Sequence, residues 1–182
     1  MAGSLIKVDE FTISSALASI ILGGGSSGSS GLNASIDTTY NVYVVQTLGV
    51  KSSNDNVELR IRVGTSGTLD SDSEYDYASK NLRADTTYGN FGEVNQTNWF
   101  AMQVGTGTQE QFNSTHYLFN FANSSEYSFI TNEITGLNTA GTLTGQQGGG
   151  VHTVNEANDA IGFVTSAGTI TAGTFTLYGL KK

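Results

Sequence analysis

The stretch Val57–Val63 constrains the fold of this chain more than any other. Apolar and charged residues alternate strictly along it, with the apolar set at Val57, Leu59, Ile61 and Val63. Successive side chains of a β-strand point to opposite faces, so a period of two predicts a strand with one buried and one solvent-facing side. We therefore expect this stretch to pack its apolar face into a core.

The preceding run, Tyr40–Val50, predicts a second strand. One face carries mainly apolar residues, and the other, with Tyr43 and Val45, is not polar either, so we expect cover on both sides. The connector Lys51–Asn56 contains Ser, Asn and Asp, which favour turns. These features predict an antiparallel pair of neighbouring strands in the middle of a sheet.

The rest of the chain predicts an all-β protein. Only 13% of its 182 residues are charged and 23 are Gly, which suits short strands joined by polar turns. We expect a two-sheet antiparallel β-sandwich, jelly-roll-like, of about eight to ten strands. Phe175 and Leu177 should face inward, as should Phe100, Met102 and Val104, whereas Gly64–Asn95 is expected to be a long irregular crossing segment.

The expected organisation has three parts. Residues 1–22 are an N-terminal arm or the first strands, residues 23–35 a Gly/Ser-rich linker or loop, and residues 36–182 the β-sandwich domain. Phe11–Leu22 fits both helical and strand spacing, and we favour a strand. Gly23–Gly31 lacks the Lys-Ser/Thr ending of a phosphate loop, so it is interpreted as a loose loop or as a hinge for docking the arm on a neighbouring subunit.

Composition excludes several classes of protein. The chain has no Cys, so neither a disulfide framework nor a thiolate metal site can form. A net charge of −8 argues against a nucleic-acid partner, because neutralising phosphates requires clustered Lys and Arg. We expect no membrane span and no signal peptide, and hence assembly in a cytoplasm.

Several acidic residues and the two histidines are candidate metal ligands. Asp70, Asp72, Glu74 and Asp76 alternate as the carboxylates of a calcium loop do, but Tyr75 occupies the position at which that loop requires glycine. A solvated acidic loop is the preferred interpretation. His116 and His152 have no acidic neighbour and no serine motif in the sequence, so we interpret them as ordinary strand or loop residues.

Carbohydrate chemistry was weighed as well. A glycosidase needs two carboxylates, and the candidates are Glu58, Glu93, Glu110, Glu126, Glu133 and Glu156. Glu58 alternates with arginines and is interpreted as a cross-strand charge partner. Sugar binding by Trp99 and the tyrosines is the milder alternative. We assign no catalytic, cofactor-binding or metal residue, expect no cofactor, and do not expect an enzyme.

Four stretches resemble small structural proteins of tailed bacteriophages, particularly marine ones. Ile36–Val45 and Asn54–Val63 resemble the "Asp-Ser-Thr-Tyr-Asp-Val-Tyr" and "Asp-Asn-Val-x-Leu-Arg-x-Arg" strands of that family. The closing Ile170–Lys182 is similar to its "Ser-Gly-Thr-Phe-x-Leu-Tyr-Gly" ending, and Ser73–Ala78 is similar to a recurring tyrosine-rich loop. The tract Gly23–Gly31 departs from the family pattern.

The resemblance implies a jelly-roll virion protein, of the kind labelled decoration, tail fibre or virion structural protein. It implies a non-enzymatic capsid decoration or cement protein that assembles as a homotrimer and contacts the major capsid protein or other virion proteins. The chain length favours this over a fibre with a shaft. The alternatives are a tail fibre or receptor-binding tip that recognises a host surface glycan and, more remotely, a carbohydrate-active enzyme.

Overall fold

The computed structural model describes residues 3–25 and 35–181. No helix in these two ranges has the length and hydropathy needed to cross a bilayer. The described residues form thirteen strands: β1 Ser4–Thr12, β2 Ser19–Gly23, β3 Val42–Ser52, β4 Val57–Thr65, β5 Thr68–Leu69, β6 Tyr75–Arg83, β7 Tyr88–Gln96, β8 Trp99–Val104, β9 Phe112–Phe119, β10 Ser128–Leu137, β11 Leu143–His152, β12 Ala160–Thr165 and β13 Ile170–Lys181.

The strands form two antiparallel sheets packed face to face. The larger sheet has eight strands in the order β1-β13-β3-β9-β10-β11-β6-β7. The smaller has five, in which β2, β12, β4 and β5 follow one another and β8 pairs with β4. Most connections cross from one sheet to the other, as in jelly rolls. The predicted two-sheet antiparallel β-sandwich is confirmed.

The core lies between the sheets and contains the residues that the alternation pointed to. Leu59, Ile61 and Val63 are buried on β4, and Phe175 and Leu177 are buried on β13, as predicted. Alternating apolar side chains from both inner faces meet in one cluster, which is how a sandwich removes its apolar surface from water.

The predicted pairing of the central strands is wrong. β3 belongs to the larger sheet and β4 to the smaller, so the two strands lie in opposite sheets of the sandwich and do not pair. Packing the two sheets face to face buries the apolar side of each strand against the other sheet. The outer position Val44 is buried as well, so part of β3 is covered on both sides as predicted, but Leu48 on the same outer face is 67% exposed. A bulge at Gly49 (φ 65°) shifts the register after Leu48 and turns Val50 into the core.

The structure has more strands than predicted, because the expected irregular segment Gly64–Asn95 contains β5, β6 and β7. Most side chains of β6 and β7 are exposed or half-buried, so these strands lack the apolar alternation by which the others were recognised. On β8 the inner-face prediction is confirmed for Met102 and Val104 and is wrong for Phe100, which is half-buried and lies outside the core cluster. Trp99 and Ala101 are buried instead, because a register shift opposite them on β4 interrupts the alternation.

The N-terminal segment belongs to its own sandwich. β1 pairs with β13 and β2 with β12, so the described part of residues 1–22 supplies strands to both sheets. The buried Asp9 joins the two sheets: its Oδ2 accepts a hydrogen bond from the Gly23 amide at 2.9 Å and its Oδ1 one from the Glu10 amide at 2.7 Å. Residues 26–34 of the predicted linker lie outside the described residues.

Candidate functional site

One cluster brings together residues that are far apart in the sequence. His152 ends β11 and pairs in register with Tyr75, the first residue of β6. The loop from β5 into β6 carries Asp70 and Glu74, whose carboxylates turn towards the His152 ring. We call these three residues the Asp70–Glu74–His152 cluster.

The cluster is tight. His152 Nε2 lies 2.8 Å from Asp70 Oδ2 and 3.4 Å from Glu74 Oε2. One oxygen from each carboxylate and one ring nitrogen all lie within 4.8 Å of one another. The first distance is that of a charge-assisted hydrogen bond, and the second is longer than an ordinary hydrogen bond.

Packing holds the imidazole in place. The His152 side chain is fully buried, with its ring 4.9 Å from that of Tyr75, which in turn meets Trp99 edge-on at 5.2 Å. Its second nitrogen, Nδ1, is buried without a hydrogen-bond partner and faces Glu156 Oε1 at 3.8 Å. A buried polar atom without a partner is costly and calls for an explanation.

The loop is ordered by its own backbone contacts. The Asp72 amide donates to Asp70 Oδ1 at 2.8 Å, and the Glu74 amide donates to the Asp72 carbonyl at 2.9 Å. On the other side, the Thr153 amide donates to the Glu74 carbonyl at 2.8 Å. Both carboxylates are therefore positioned by main-chain hydrogen bonds next to the end of β11.

The electrostatics of the two carboxyls differ. Partial burial acts to raise the pKa of Asp70, but hydrogen bonds from the Asp72 amide and from His152 outweigh it and hold the pKa below its usual value. For Glu74, burial and the neighbouring charge of Asp70 together raise the pKa. Burial and, after it, the crowding of like charges make Glu74 the carboxyl that gives up its proton less readily.

The structure revises the interpretation of the acidic stretch as a solvated loop. Asp72 is exposed as expected, and Asp76 lies on the outer side of β6, where it accepts a hydrogen bond from the Asn95 amide. Asp70 and Glu74 instead turn inward to His152, 82 residues from Asp70. No local sequence pattern predicts this contact, because it forms only when β6 and β11 become neighbours in the sheet.

The two histidines do not form a pair. His116 lies on β9 and His152 on β11, with β10 between them, so the rings are roughly 15 Å apart. His116 is fully buried and its Nε2 shares a hydrogen bond of 2.7 Å with Ser114 Oγ, which contacts Thr47 Oγ1 at 2.7 Å. Burial lowers the pKa of His116 to about 3, so this residue is a neutral part of the core.

Trp99 is not a sugar platform, contrary to the sequence-based hypothesis. Its side chain is only 2% exposed, and its indole Nε1 donates to the Val151 carbonyl at 3.1 Å. Exposed aromatic rings occur elsewhere, at the open edge where β6 and β7 extend beyond β8. There a groove of about 420 Å³, here called the edge groove, is lined by Tyr77, Tyr88, Phe91 and Phe100 together with Glu58, Arg83 and Glu93.

The six glutamates weighed as glycosidase candidates are dispersed. Glu58 and Glu93 line the edge groove, and Glu58 pairs with Arg60 on its own strand at 2.8 Å instead of across strands. Glu110 accepts the Gly107 amide, Glu133 contacts Gln147, Glu126 is exposed, and Glu156 faces His152. Only one pair of the six therefore shares a cavity among the grooves of the described residues.

Comparison with known proteins returns no match, either to a protein-family model or to a curated protein sequence. The chemistry open to each site therefore follows from its own atoms. The edge groove offers aromatic faces flanked by charges, and the Asp70–Glu74–His152 cluster offers two carboxylates and an imidazole.

Proposed function

We propose that this chain is a non-enzymatic structural protein of a tailed-bacteriophage virion, a capsid surface decoration or cement protein that acts through protein–protein contacts as a homotrimer. The sequence resemblance supports this, and its stretches fall on strands that build the sandwich. Ile36–Val45 leads into β3, Asn54–Val63 into β4, and Ile170–Lys182 contains β13. The resemblance thus concerns the body of the fold and involves no catalytic residue.

The observation that carries the proposal is an apolar patch on the outer face of the eight-stranded sheet. One row of paired residues crosses four neighbouring strands, β3, β9, β10 and β11, as Val42, Phe119, Phe129 and Val151. The adjacent row contributes Tyr178 and Tyr117, one on each side of the buried Val44. We call the six residues other than Val44 the outer aromatic patch.

The patch has the character of an interface. Tyr117 is 40% exposed and Phe129 44% exposed, although both are large rings on a sheet face. Contiguous exposed apolar surface on a folded domain marks interaction sites, and aromatic residues are enriched at the centres of interfaces. A second copy of the chain or a capsid protein that covers the patch would remove this surface from water.

Replacing the exposed rings tests the assignment. We expect the double variant Tyr117→Ser/Phe129→Ser to fold but to lose trimer assembly and to bind capsids lacking the protein at least tenfold more weakly. The variant Leu143→Ser is the matched control, because Leu143 is 52% exposed on the same sheet face at the far end of β11. Light scattering after size exclusion gives the oligomeric state, and co-sedimentation with capsids gives binding.

Cryo-electron microscopy of the particle locates the protein directly. Symmetric positions on the capsid surface, with the outer aromatic patch in contact with another subunit, would support the proposal. A position at the tip of a tail fibre, or a double variant that assembles and binds as the wild type does, would refute it.

A second candidate function, recognition of a host surface glycan, is favoured by the edge groove. Its rings form a platform in which Phe100 lies 5.6 Å from Phe91 and 6.4 Å from Tyr77. Aromatic faces suit the apolar faces of sugar rings, and nearby charged groups such as Arg83 and Glu93 suit their hydroxyls. The groove volume lies within the range typical of small-ligand sites.

The groove is tested separately from the patch. If it binds glycan, Tyr88→Ala/Phe91→Ala should weaken binding of the isolated protein to host polysaccharide at least tenfold, while Tyr117→Ser/Phe129→Ser leaves it unchanged. Absence of glycan binding by the wild type would eliminate this candidate. Turnover of a polysaccharide that is abolished by Glu93→Gln or Glu58→Gln would overturn the non-enzymatic assignment.

A further inference from the structure

The geometry points to a divalent transition-metal site, for which Zn²⁺ is the fitting ion, built from Asp70 Oδ2, Glu74 Oε2 and His152 Nε2. The sequence by itself assigns no metal ligand to this chain, and the proposed virion function does not require one. We propose that the ion clamps the loop between β5 and β6 to the end of β11.

The distances between the ligand atoms fit one ion. Two ligands bound to Zn²⁺ at about 2.0–2.1 Å lie roughly 3.4 Å apart in tetrahedral geometry. His152 Nε2 lies 3.4 Å from Glu74 Oε2, which matches this spacing, and 2.8 Å from Asp70 Oδ2, a pair that must open slightly. All three ligand atoms lie within 4.8 Å of one another. The atoms are thus close to coordinating positions while the loop is held by its main-chain hydrogen bonds.

The surroundings favour a cation. The groove beside the cluster is lined by Asp70, Asp72, Glu74 and Glu156, with threonines and Val154 but no lysine or arginine among its described lining residues. A bound divalent ion would offset the repulsion between these carboxylates.

The unpaired Nδ1 of His152 is a second, independent observation that supports a metal at Nε2 of the same ring. A metal-bound histidine commonly donates its other N–H to a carboxylate, which fixes the tautomer that presents the free lone pair to the metal. His152 Nδ1 is fully buried, has no hydrogen-bond partner and faces Glu156 Oε1 at 3.8 Å. A shift of the Glu156 side chain by less than about 1 Å would complete this arrangement.

The ligand types select the metal. Imidazole nitrogen combined with carboxylate oxygen suits Zn²⁺, whereas Ca²⁺ and Mg²⁺ prefer oxygen alone. Three protein ligands leave a position that faces the groove, where solvent completes the coordination. The site therefore binds zinc through two segments that are 82 residues apart in the chain.

Calorimetric titration of the metal-free, untagged full chain with zinc chloride tests the proposal. We expect one equivalent to bind and the melting temperature to rise by several degrees. Glu74→Gln and Asp70→Asn should each weaken zinc binding at least tenfold. Asp72→Asn is the matched control, since it removes the same charge from the same loop but no ligand, and its zinc affinity should stay within about threefold of wild type.

One further measurement keeps the test decisive without His152→Gln, a variant that alters a fully buried side chain and can therefore fail for reasons of folding alone. The ring-nitrogen resonances of His152, followed by NMR, should move on addition of zinc in the wild type and remain in place in Glu74→Gln. No zinc binding, equal affinity in Glu74→Gln and wild type, or tighter binding of calcium than of zinc would each overturn the assignment.

Discussion

At the scale of single residues, the two histidines show how the same side chain takes two roles in similar strand positions. His116 is sealed among core residues beside Phe163, and its pKa is lowered to about 3 by burial. His152 is equally buried but faces the carboxylates of Asp70 and Glu74. The neighbouring strands, and not the residues on either side in the sequence, determine the difference.

The buried His116 should make the protein sensitive to acid. Its pKa is about 3 in the folded state and near its usual 6.5 in the unfolded state, so the unfolded chain takes up the proton first. The stability contributed by the neutral ring is complete above pH 6.5 and is lost as the pH falls towards 3. At about 1.4 kcal/mol per pH unit, we expect a loss of about 2 kcal/mol between pH 7 and pH 5.

Denaturant unfolding of wild type and of His116→Gln at pH 7 and pH 5 measures this loss in the free energy of unfolding. Gln can retain a hydrogen bond to Ser114 without titrating, so the comparison concerns the change with pH and not the absolute stability of the variant. If both proteins lose the same free energy of unfolding between pH 7 and pH 5, His116 is not the source of acid sensitivity.

At the scale of elements, the buried side chain of Asp9 connects β1 to β2 and so links the two sheets. It sits on β1 in the larger sheet and accepts a hydrogen bond from Gly23 at the end of β2 in the smaller one. Asn in its place would turn an amide donor towards one of the two backbone amides. We expect Asp9→Asn to lower the free energy of unfolding by about 2–3 kcal/mol.

Glu10→Gln provides the neighbouring control, since Glu10 is partly exposed and its removal should leave stability close to that of wild type. Urea unfolding of the monomer gives both values. If Asp9→Asn left the monomer unchanged and weakened only assembly, residues 4–23 would act on a neighbouring subunit, which is the arm hypothesis.

At the scale of the whole molecule, the three surfaces lie apart. The outer aromatic patch covers one face of the larger sheet, the edge groove lies where β6 and β7 extend beyond β8, and the Asp70–Glu74–His152 cluster sits at the junction of the β5–β6 loop with β11. No residue belongs to two of them. Variants in one should therefore act independently of the others, so assembly, glycan binding and zinc binding can be separated.

Much of the fold could be predicted because its determinants are local. Alternation along Val57–Val63 and around Phe175 and Leu177 identified buried strand faces, since a strand places successive side chains on opposite sides. The edge strands β6 and β7 were not predicted, because the prediction relies on apolar alternation. They bury little, so no apolar period marks them.

The amino-acid pattern alone predicts an antiparallel β-sandwich and the core-facing side of several strands, because each strand's period of two follows from local geometry. That β3 and β4 belong to opposite sheets instead of pairing is visible only in the folded structure. It alone also decided that Asp70 and Glu74 meet His152. Strand neighbours depend on how all apolar faces are buried together, and alternation within one strand carries no information about that choice.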